Sequence, residues 1–371
     1  MNNTRKPRIL FIMQLPPPVH GASLMNQNLV NSKLIGTAFD TRAINITTAR
    51  DIGAIGKFSV SKVFSMFLHF FRIAKQLVLF KPALVYFTVS ISGFAFYRDA
   101  MYICLVKLFK PALVLHLHGK GIQAGAAGSR LFKYLSKKIL SGTYSIHLSP
   151  LLLADTEGIK NRKRFVVANG IPVVVPANMI KETNQVTQLL YLSNYVKTKG
   201  IIDVIDAVAL AAGSNRHFKL NLVGKPFDYS IAALEDYIKT KNVSDIVTVS
   251  GPSYGEEKYR ELQRADVFIF PTYYQNEAFP ISLLEAMQFR LAIITTDEGG
   301  IPDMIDNDIT GYIVRKRDVA ALAEKILFLL ENPGKRNALG TAARKKFDEQ
   351  YTIDHFEKNM LRVFTEVLES K

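Results

Sequence analysis

With Cys104 as its only cysteine, this 371-residue chain can form no intrachain disulfide and no cysteine-based zinc site. Long uninterrupted apolar runs are missing too. The most hydrophobic region, Val60 to Phe80, is interrupted by Lys62, His69, Arg72 and Lys75, which excludes a spanning segment. At the amino terminus, basic residues precede an apolar run of only seven residues, Ile9 to Leu15, that ends in three prolines. A secretory signal needs a longer apolar core and a small-residue cleavage site, so the run reads as a first buried strand and a cytoplasmic location is expected. Short internal repeats and low-complexity segments are absent as well.

Hydrophobic residues make up 48% of the chain, enough for two domains with a core each. Acidic residues are scarce in one half only. Residues 1–180 carry 23 Lys and Arg against 5 Asp and Glu, a balance of +18, whereas residues 181–371 carry 24 against 27, a balance of −3. A basic half suits nucleic acid, an anionic membrane or an anionic substrate. Helix-turn-helix, zinc-finger and RNA-binding signatures are missing from that half, so nucleic acid is not an expected partner and an anionic membrane surface is.

Short β-branched runs alternate with helical stretches in two series, the pattern of parallel sheets covered by helices on both faces. The first series is Arg8–Leu15, Phe39–Asn45, Ala83–Val89, Ala112–Leu117, Tyr144–Leu148 and Arg164–Ala168. The second is Gln188–Ser193, His217–Val223, Asp245–Ser250, Asp266–Phe270, Leu291–Thr296 and Gly311–Val314. The fold class is therefore α/β, with two doubly wound Rossmann-like domains at 1–172 and 173–350. Two prolines in the extended Ile171–Pro176 segment mark the boundary, where the charge balance also changes. The final helix, about Ile353 to Glu369, has no strand of its own, and the segment 351–371 is expected to cross back to the first domain.

The unusual residues follow the carboxyl ends of these strands, where open α/β folds place their ligands. In Glu277-Ala278-Phe279-Pro280-Ile281-Ser282-Leu283-Leu284-Glu285, two carboxylates straddle a helix start, because a prolyl ring suits the first turn. Glu285 sits on that helix, and Glu277 lies in the loop before it. Lys199 stands at another helix start, where the helix dipole favours anions, and an anionic ligand would relieve it. Gly299 and Gly300, before a proline-started helix, offer backbone N–H donors to phosphate or sugar. In the first half, Gly21 opens a helix after Pro16-Pro17-Pro18, His118 follows a strand, and Asn169-Gly170 makes a turn at the domain junction. His116 and His118 share one strand face, but no third ligand accompanies them, so no metal is assigned. Two carboxylates, a lysine and glycine-opened helix starts point to a diphosphate-linked sugar, with donors on the phosphates and acids on the hydroxyls.

The order Lys199-Gly200, Val223-Gly224, Gly251-Pro252, Glu277 to Glu285, Gly299-Gly300-Ile301-Pro302-Asp303 and Gly311 resembles the retaining glycosyltransferases of family 4. The likeness is dense in the second half. In the first it rests on Pro17-Pro18-Val19-His20-Gly21, His118-Gly119 and Asn169-Gly170. The resemblance implies the GT-B fold, two Rossmann-like domains facing across a cleft, with Glu285 and Ile281 beside the nucleotide and Glu285 on the ribose hydroxyls. It implies Glu277, His118 and Lys199 as catalytic residues, and Lys199, Asn194, Gly224, Gly299 and Gly300 on the donor side. Gly21, His118 and Asn169 would face the sugar or acceptor. It further implies metal-independent transfer of a hexose from a UDP- or GDP-sugar, without a cofactor, to a glycan or lipid-linked glycan at the inner face of the cell membrane. The alternatives on the same fold are a sugar-nucleotide epimerase or a phosphorylase; a solute-binding protein or a catalytically silent partner subunit are the others. One departure stands out: family members carry an Arg five positions before the lysine, and this chain has Asn194, which supplies no charge. Lys197, Lys225 or a basic residue of the first domain are the candidate substitutes. The Ser193-Asn194 pair and the Pro-Pro-Val-His-Gly opening resemble members active in bacterial surface-polysaccharide synthesis.

Overall fold

A computed structural model describes residues 6–47, 60–176 and 185–370. They divide into two compact units, one made of the residues up to Gly170 together with those from Ile353 onward, the other of Ile171–Thr352. The prolines and the charge change point to 172/173 for the first division and the strandless last helix to 350/351 for the second; the units divide at 170/171 and 352/353.

The first unit contains strands β1 (Arg8–Met13), β2 (Asp40–Asn45), β3 (Leu84–Val89), β4 (Ala112–Leu117), β5 (Tyr144–His147) and β6 (Lys163–Val166). Its helices are α1 (Gly21–Asn31), α2 (Lys33–Ala38), α3 (Val60–Leu79), α4 (Gly93–Leu108), α5 (Ile122–Gly128) and α6 (Arg130–Leu140). The strands form one parallel sheet in the order β2-β1-β3-β4-β5-β6. β3 and β4 are buried throughout, which explains why they read as continuous apolar runs and not as alternating ones. Successive residues still serve opposite faces. Leu10, Ile12, Val85, Phe87, Leu113 and Leu115 share a core with residues of α3, α4 and α6, while Phe11 and Tyr86 point the other way.

The second unit contains β7 (Thr187–Leu192), β8 (Phe218–Val223), β9 (Val247–Ser250), β10 (Val267–Phe270), β11 (Ala292–Thr296) and β12 (Tyr312–Val314). With them go α7 (Ile201–Ala212), α8 (Ile231–Thr240), α9 (Gly255–Arg264), α10 (Ile281–Gln288), α11 (Ile301–Met304), α12 (Val319–Glu331) and α13 (Pro333–Gln350). This sheet is also parallel, in the order β12-β11-β10-β7-β8-β9. The chain leaves β7 toward β8 and β9, then returns to β10 on the other side and continues outward. The switch point therefore lies between β7 and β10, and the loops that leave their carboxyl ends bound a crevice.

The last helix, α14 (Ile353–Glu369), belongs to the first unit. It buries Phe356, Met360, Val363, Phe364 and Val367. The Phe364 ring lies 5.7 Å from that of Tyr86, 6.0 Å from Phe11 and 6.1 Å from Phe39, so it covers the sheet face opposite the α3–α4–α6 layer. Lys163 pairs with Glu366, and Tyr144 Oη lies 2.8 Å from Ser370 Oγ. Replacing Phe364 by Ala leaves an aromatic-sized cavity, an expected loss of about 3–5 kcal/mol. Urea denaturation should place that loss in the first unit's transition and leave the second unit's transition unchanged.

Candidate functional site

The crevice at the switch point is built by loops whose backbones lock together. Beyond β7 the chain makes a 3₁₀ turn, Lys197–Lys199, and enters α7 at Gly200. Tyr273 N–H, in the loop after β10, donates to Thr198 O at 2.8 Å. On the far side, Gly300 N–H in the loop after β11 donates to Ala278 O at 2.7 Å. Gly299 has φ +60°, and a Cβ there would lie 2.1 Å from Glu277 O, so only glycine permits this approach.

These backbone contacts bring the expected residues of the second unit together. Lys199 Nζ lies 3.4 Å from Glu277 Oε2 and within 6 Å of the Phe270 and Tyr274 ring centres. The pair is a charge contact without hydrogen-bond geometry, so Glu277 Oε2 is buried with no hydrogen-bond donor. Its lone pairs are available to a ligand hydroxyl. Glu277 lies in the loop and Glu285 on α10; Pro280 caps that helix from one position outside it, and Ile281 is its first residue. Gln288, also on α10, receives the Val175 N–H at 3.2 Å, and Arg344 of α13 donates to Gln288 O at 2.8 Å, which fixes the helix against the rest of the unit. Asn194 is half-buried after β7. Gly224 follows β8 so close to that loop that a Cβ would meet Ser193 O at 1.9 Å.

Two expectations meet a different arrangement, and one residue was missed. Gly299 and Gly300 do not present uncommitted donors: Gly300 N–H is held by Ala278 O, and Gly299 N–H points to Glu298 Oε1 at 3.1 Å. Packing of the two loops takes up the Gly300 N–H, and the neighbouring Glu298 carboxylate takes that of Gly299. Lys197, a candidate for the missing cation, is exposed on the 3₁₀ turn, its own N–H bound to Asp228 Oδ2 at 2.8 Å. The sequence reading missed Lys258, in the first turns of α9, which pairs with the Glu285 carboxylate. Burial pushes the Glu285 carboxyl up from its ordinary range, and the Lys258 ammonium opposes that rise. The only signal for Lys258 was its place in a helix that follows the carboxyl end of β9, masked by the neighbouring Glu256 and Glu257.

In the first unit, His118 lies just beyond β4 and stacks on His116, ring centres 4.0 Å apart. Tyr86 Oη and His116 Nδ1 are 2.6 Å apart, which orients the lower ring. Both ring nitrogens of His118 are buried without a hydrogen-bond partner. Burial, reinforced by the nearby His20, holds the His118 imidazole neutral, its pKa lowered to about 3. His20 is an N-cap: its Nδ1 accepts from Ser23 N at 3.3 Å while Ser23 Oγ accepts from His20 N, and Gly21 opens α1 exposed beside it. Asn169 is buried just beyond β6.

Among the described residues no group of three or more His, Cys, Asp or Glu is arranged to hold a metal ion. The run Asp306-Asn307-Asp308 has Asp-x-Asp spacing, but its carboxylates are bound by lysines, Asp306 by Lys346 at 2.9 Å and Asp308 by Lys335 at 2.8 Å.

Residues 178–346 match the model of a family described as glycosyl transferases group 1. Over 117 residues the chain is 32% identical to O-antigen chain mannosyltransferase C of Escherichia coli, which covers 31% of this chain and 32% of that one. The chain thus spans about a third of this relative's length. Among solved structures, a glycosyltransferase from Rickettsia africae superposes with a TM-score of 0.76 at 17% identity, covering 99% of this chain and all of that one. Anabaena HepE, solved in complex with UDP, gives 0.72 at 14% identity over 97% of this chain and 100% of its own. At these identities the likeness is one of fold, and the fold is GT-B.

His118, His147 and His69 of the first unit all have lowered pKa values, to about 3, about 4 and about 4. In the unfolded chain they titrate near 6.5 and bind protons that the folded unit refuses. Their contribution to stability is complete above that value and is lost as the pH falls through it toward 4. The first unit's thermal midpoint should therefore drop between about pH 7 and about pH 5, where the carboxylates scarcely titrate. A midpoint that is flat or rises over that interval contradicts the buried neutral imidazoles.

Proposed function

We propose that the chain, whose residues 178–346 match the model of the glycosyl transferases group 1, is a retaining, metal-independent glycosyltransferase. It moves a hexose from a nucleotide diphosphate sugar to a hydroxyl of a glycan or lipid-linked glycan at the inner face of a membrane. The observation that carries this reading is the Lys199–Glu277 pair at the switch point, with a buried, unbonded carboxylate oxygen beside a cation. In this reading Lys199 meets the negative charge that develops on the donor diphosphate, and a fixed cation there stabilises the leaving group. Glu277 offers negative charge to an oxocarbenium-like sugar. In the transfer, the bond from the anomeric carbon to the diphosphate oxygen breaks while the acceptor oxygen bonds on the same face. The acceptor's proton passes to the departing phosphate oxygen.

Glu285 is the ribose ligand in this reading, its carboxylate oriented by Lys258. Lys258 is too closely paired with Glu285 to stand in simply for the cation absent at Asn194. The first unit's His118, Gly21 and Asn169 are assigned to the sugar and acceptor. The UDP bound to HepE supports a uridine or related nucleotide as donor, and the mannosyltransferase relative supports a surface polysaccharide as the product's destination.

Incubation with a panel of UDP- and GDP-sugars, with chelator present and absent, should give slow donor hydrolysis that chelator does not abolish. A changed free nucleotide sugar without hydrolysis would make the protein an epimerase. Glu285→Ala should raise the donor KM, by about 1.5–3 kcal/mol for charged hydrogen bonds. Glu277→Gln should instead lower kcat far more than nucleotide affinity. Calorimetry with UDP and GDP separates the two; turnover of Glu277→Gln within about twofold of wild type would remove its role.

A further inference from the structure

Helix α3 turns one apolar face to the core and a second one away from it. His69, Ile73 and Leu77 are buried inward, with Met66 and Phe70 partly buried against the same core. Tyr102 Oη ties the helix down by donating to Met66 O at 2.9 Å. The opposite face presents Phe64 (65% exposed), Phe67, Leu68, Phe71 (66%), Val78 and Leu79 (63%), at the spacing of a single helical stripe. An amphipathic helix packed on a sheet carries polar residues there. Lys75 stands exposed between Phe71 and Val78, and exposed apolar side chains gathered on one face mark an interaction surface.

The stripe continues past the end of the helix. Phe109, just past the end of α4, lines a recess of about 340 Å³ together with Leu77, Val78, Lys81, Pro82 and Pro111, and Leu108 before it is 76% exposed. Its charge is of one sign. Arg72, Lys75, Lys81 and Lys110 are exposed around these residues. From Val60 to Lys110 the one acid is Asp99, which is fully buried and bound to Arg98 at 2.7 Å. Lys107 Nζ donates to Lys138 O at 2.6 Å and so joins the end of α4 to α6. There Leu131 and Tyr134 are exposed among Arg130, Lys133, Lys137 and Lys138. Along α6, Leu131 is exposed, Leu135 is partly buried and Ile139 is fully buried.

Among the described residues no helix is long and apolar enough to cross a membrane. A helix that is apolar on its outer face, flanked by cations and too interrupted to span, lies in the plane of a lipid interface. We propose that the outer face of α3, with Leu108, Phe109 and the basic rim of α6, is a docking surface that inserts shallowly into an anionic phospholipid bilayer. The rim supplies attraction to acidic headgroups, and the phenylalanines supply burial that salt does not screen. The proposal extends the lipid-linked acceptor reading, but its test needs neither donor nor acceptor, so its failure would leave sugar transfer untouched.

The chain has no tryptophan, so Phe71→Trp installs a single fluorophore in the stripe, and Leu210→Trp, on α7 of the second unit, is the control. With vesicles containing phosphatidylglycerol, Phe71→Trp emission should shift to the blue and be quenched by brominated acyl chains, while Leu210→Trp stays unchanged. Phe67→Asp with Phe71→Asp should weaken vesicle flotation by about tenfold or more, with UDP or GDP affinity preserved as the sign of a folded chain. Unshifted Phe71→Trp emission with anionic vesicles overturns the proposal. So does a dimer, seen by sedimentation, that the two aspartates dissolve, because the stripe would then belong to a second copy.

Discussion

The approach of Gly299 to the Glu277 carbonyl is the constraint on which the candidate site depends. A side chain at 299 would collide with that oxygen at 2.1 Å, and the hydrogen bond from Gly300 to Ala278 could not close. That bond ties the loop after β11 to the loop after β10. The β10 loop is tied in turn to the loop after β7, where Gly200 lets the backbone pass Pro271 O at a distance of 2.5 Å from a Cβ position. Three neighbouring loops are thus fixed by backbone contacts, and the carboxylate and ammonium they carry need little reorganisation to meet a ligand.

Charge in the second unit is arranged in pairs. Lys199 faces Glu277, and Lys258 faces Glu285, each carboxylate mostly withdrawn from solvent. The pairs differ in kind. Glu285 is closely bound by its lysine, which suits a fixed ligand for neutral hydroxyls. Glu277 keeps a buried oxygen without a hydrogen bond, which suits a group whose partner gains positive charge only during a reaction. Asn194 leaves this unit with one fewer cation than its resemblance implies, and half-buried Lys225 stands beside it, its carbonyl accepting from the Tyr195 N–H at 2.9 Å.

Much of this was legible in the sequence because buried parallel strands leave continuous apolar runs. Of the twelve strands among the described residues, ten fall within a run read in advance and β6 and β7 start one residue before theirs, while α14 falls on the interval expected for it. Glu277, Glu285 and Lys199 were legible because each follows the carboxyl end of a strand. What the sequence hid depends on three-dimensional partnership. Lys258 reads as an ordinary helical lysine after two acids, and nothing local says that it reaches α10. Gly299 and Gly300 read as free donors, although loop packing uses the Gly300 N–H and the Glu298 carboxylate that of Gly299. Helix α3 is apolar on both sides, so periodicity could not tell which phenylalanines would be covered; only the positions of β3, α4 and Tyr102 decide it.

The central claim is that backbone packing between these loops sets Glu277 for catalysis, and Gly299→Ala tests it most directly. Donor turnover should be measured beside nucleotide affinity and the thermal midpoint of the second unit. The account predicts a kcat at least about tenfold lower with nucleotide affinity changed little, since a displaced loop misplaces the carboxylate and spares Glu285. Wild-type turnover in a folded Gly299→Ala protein would contradict it.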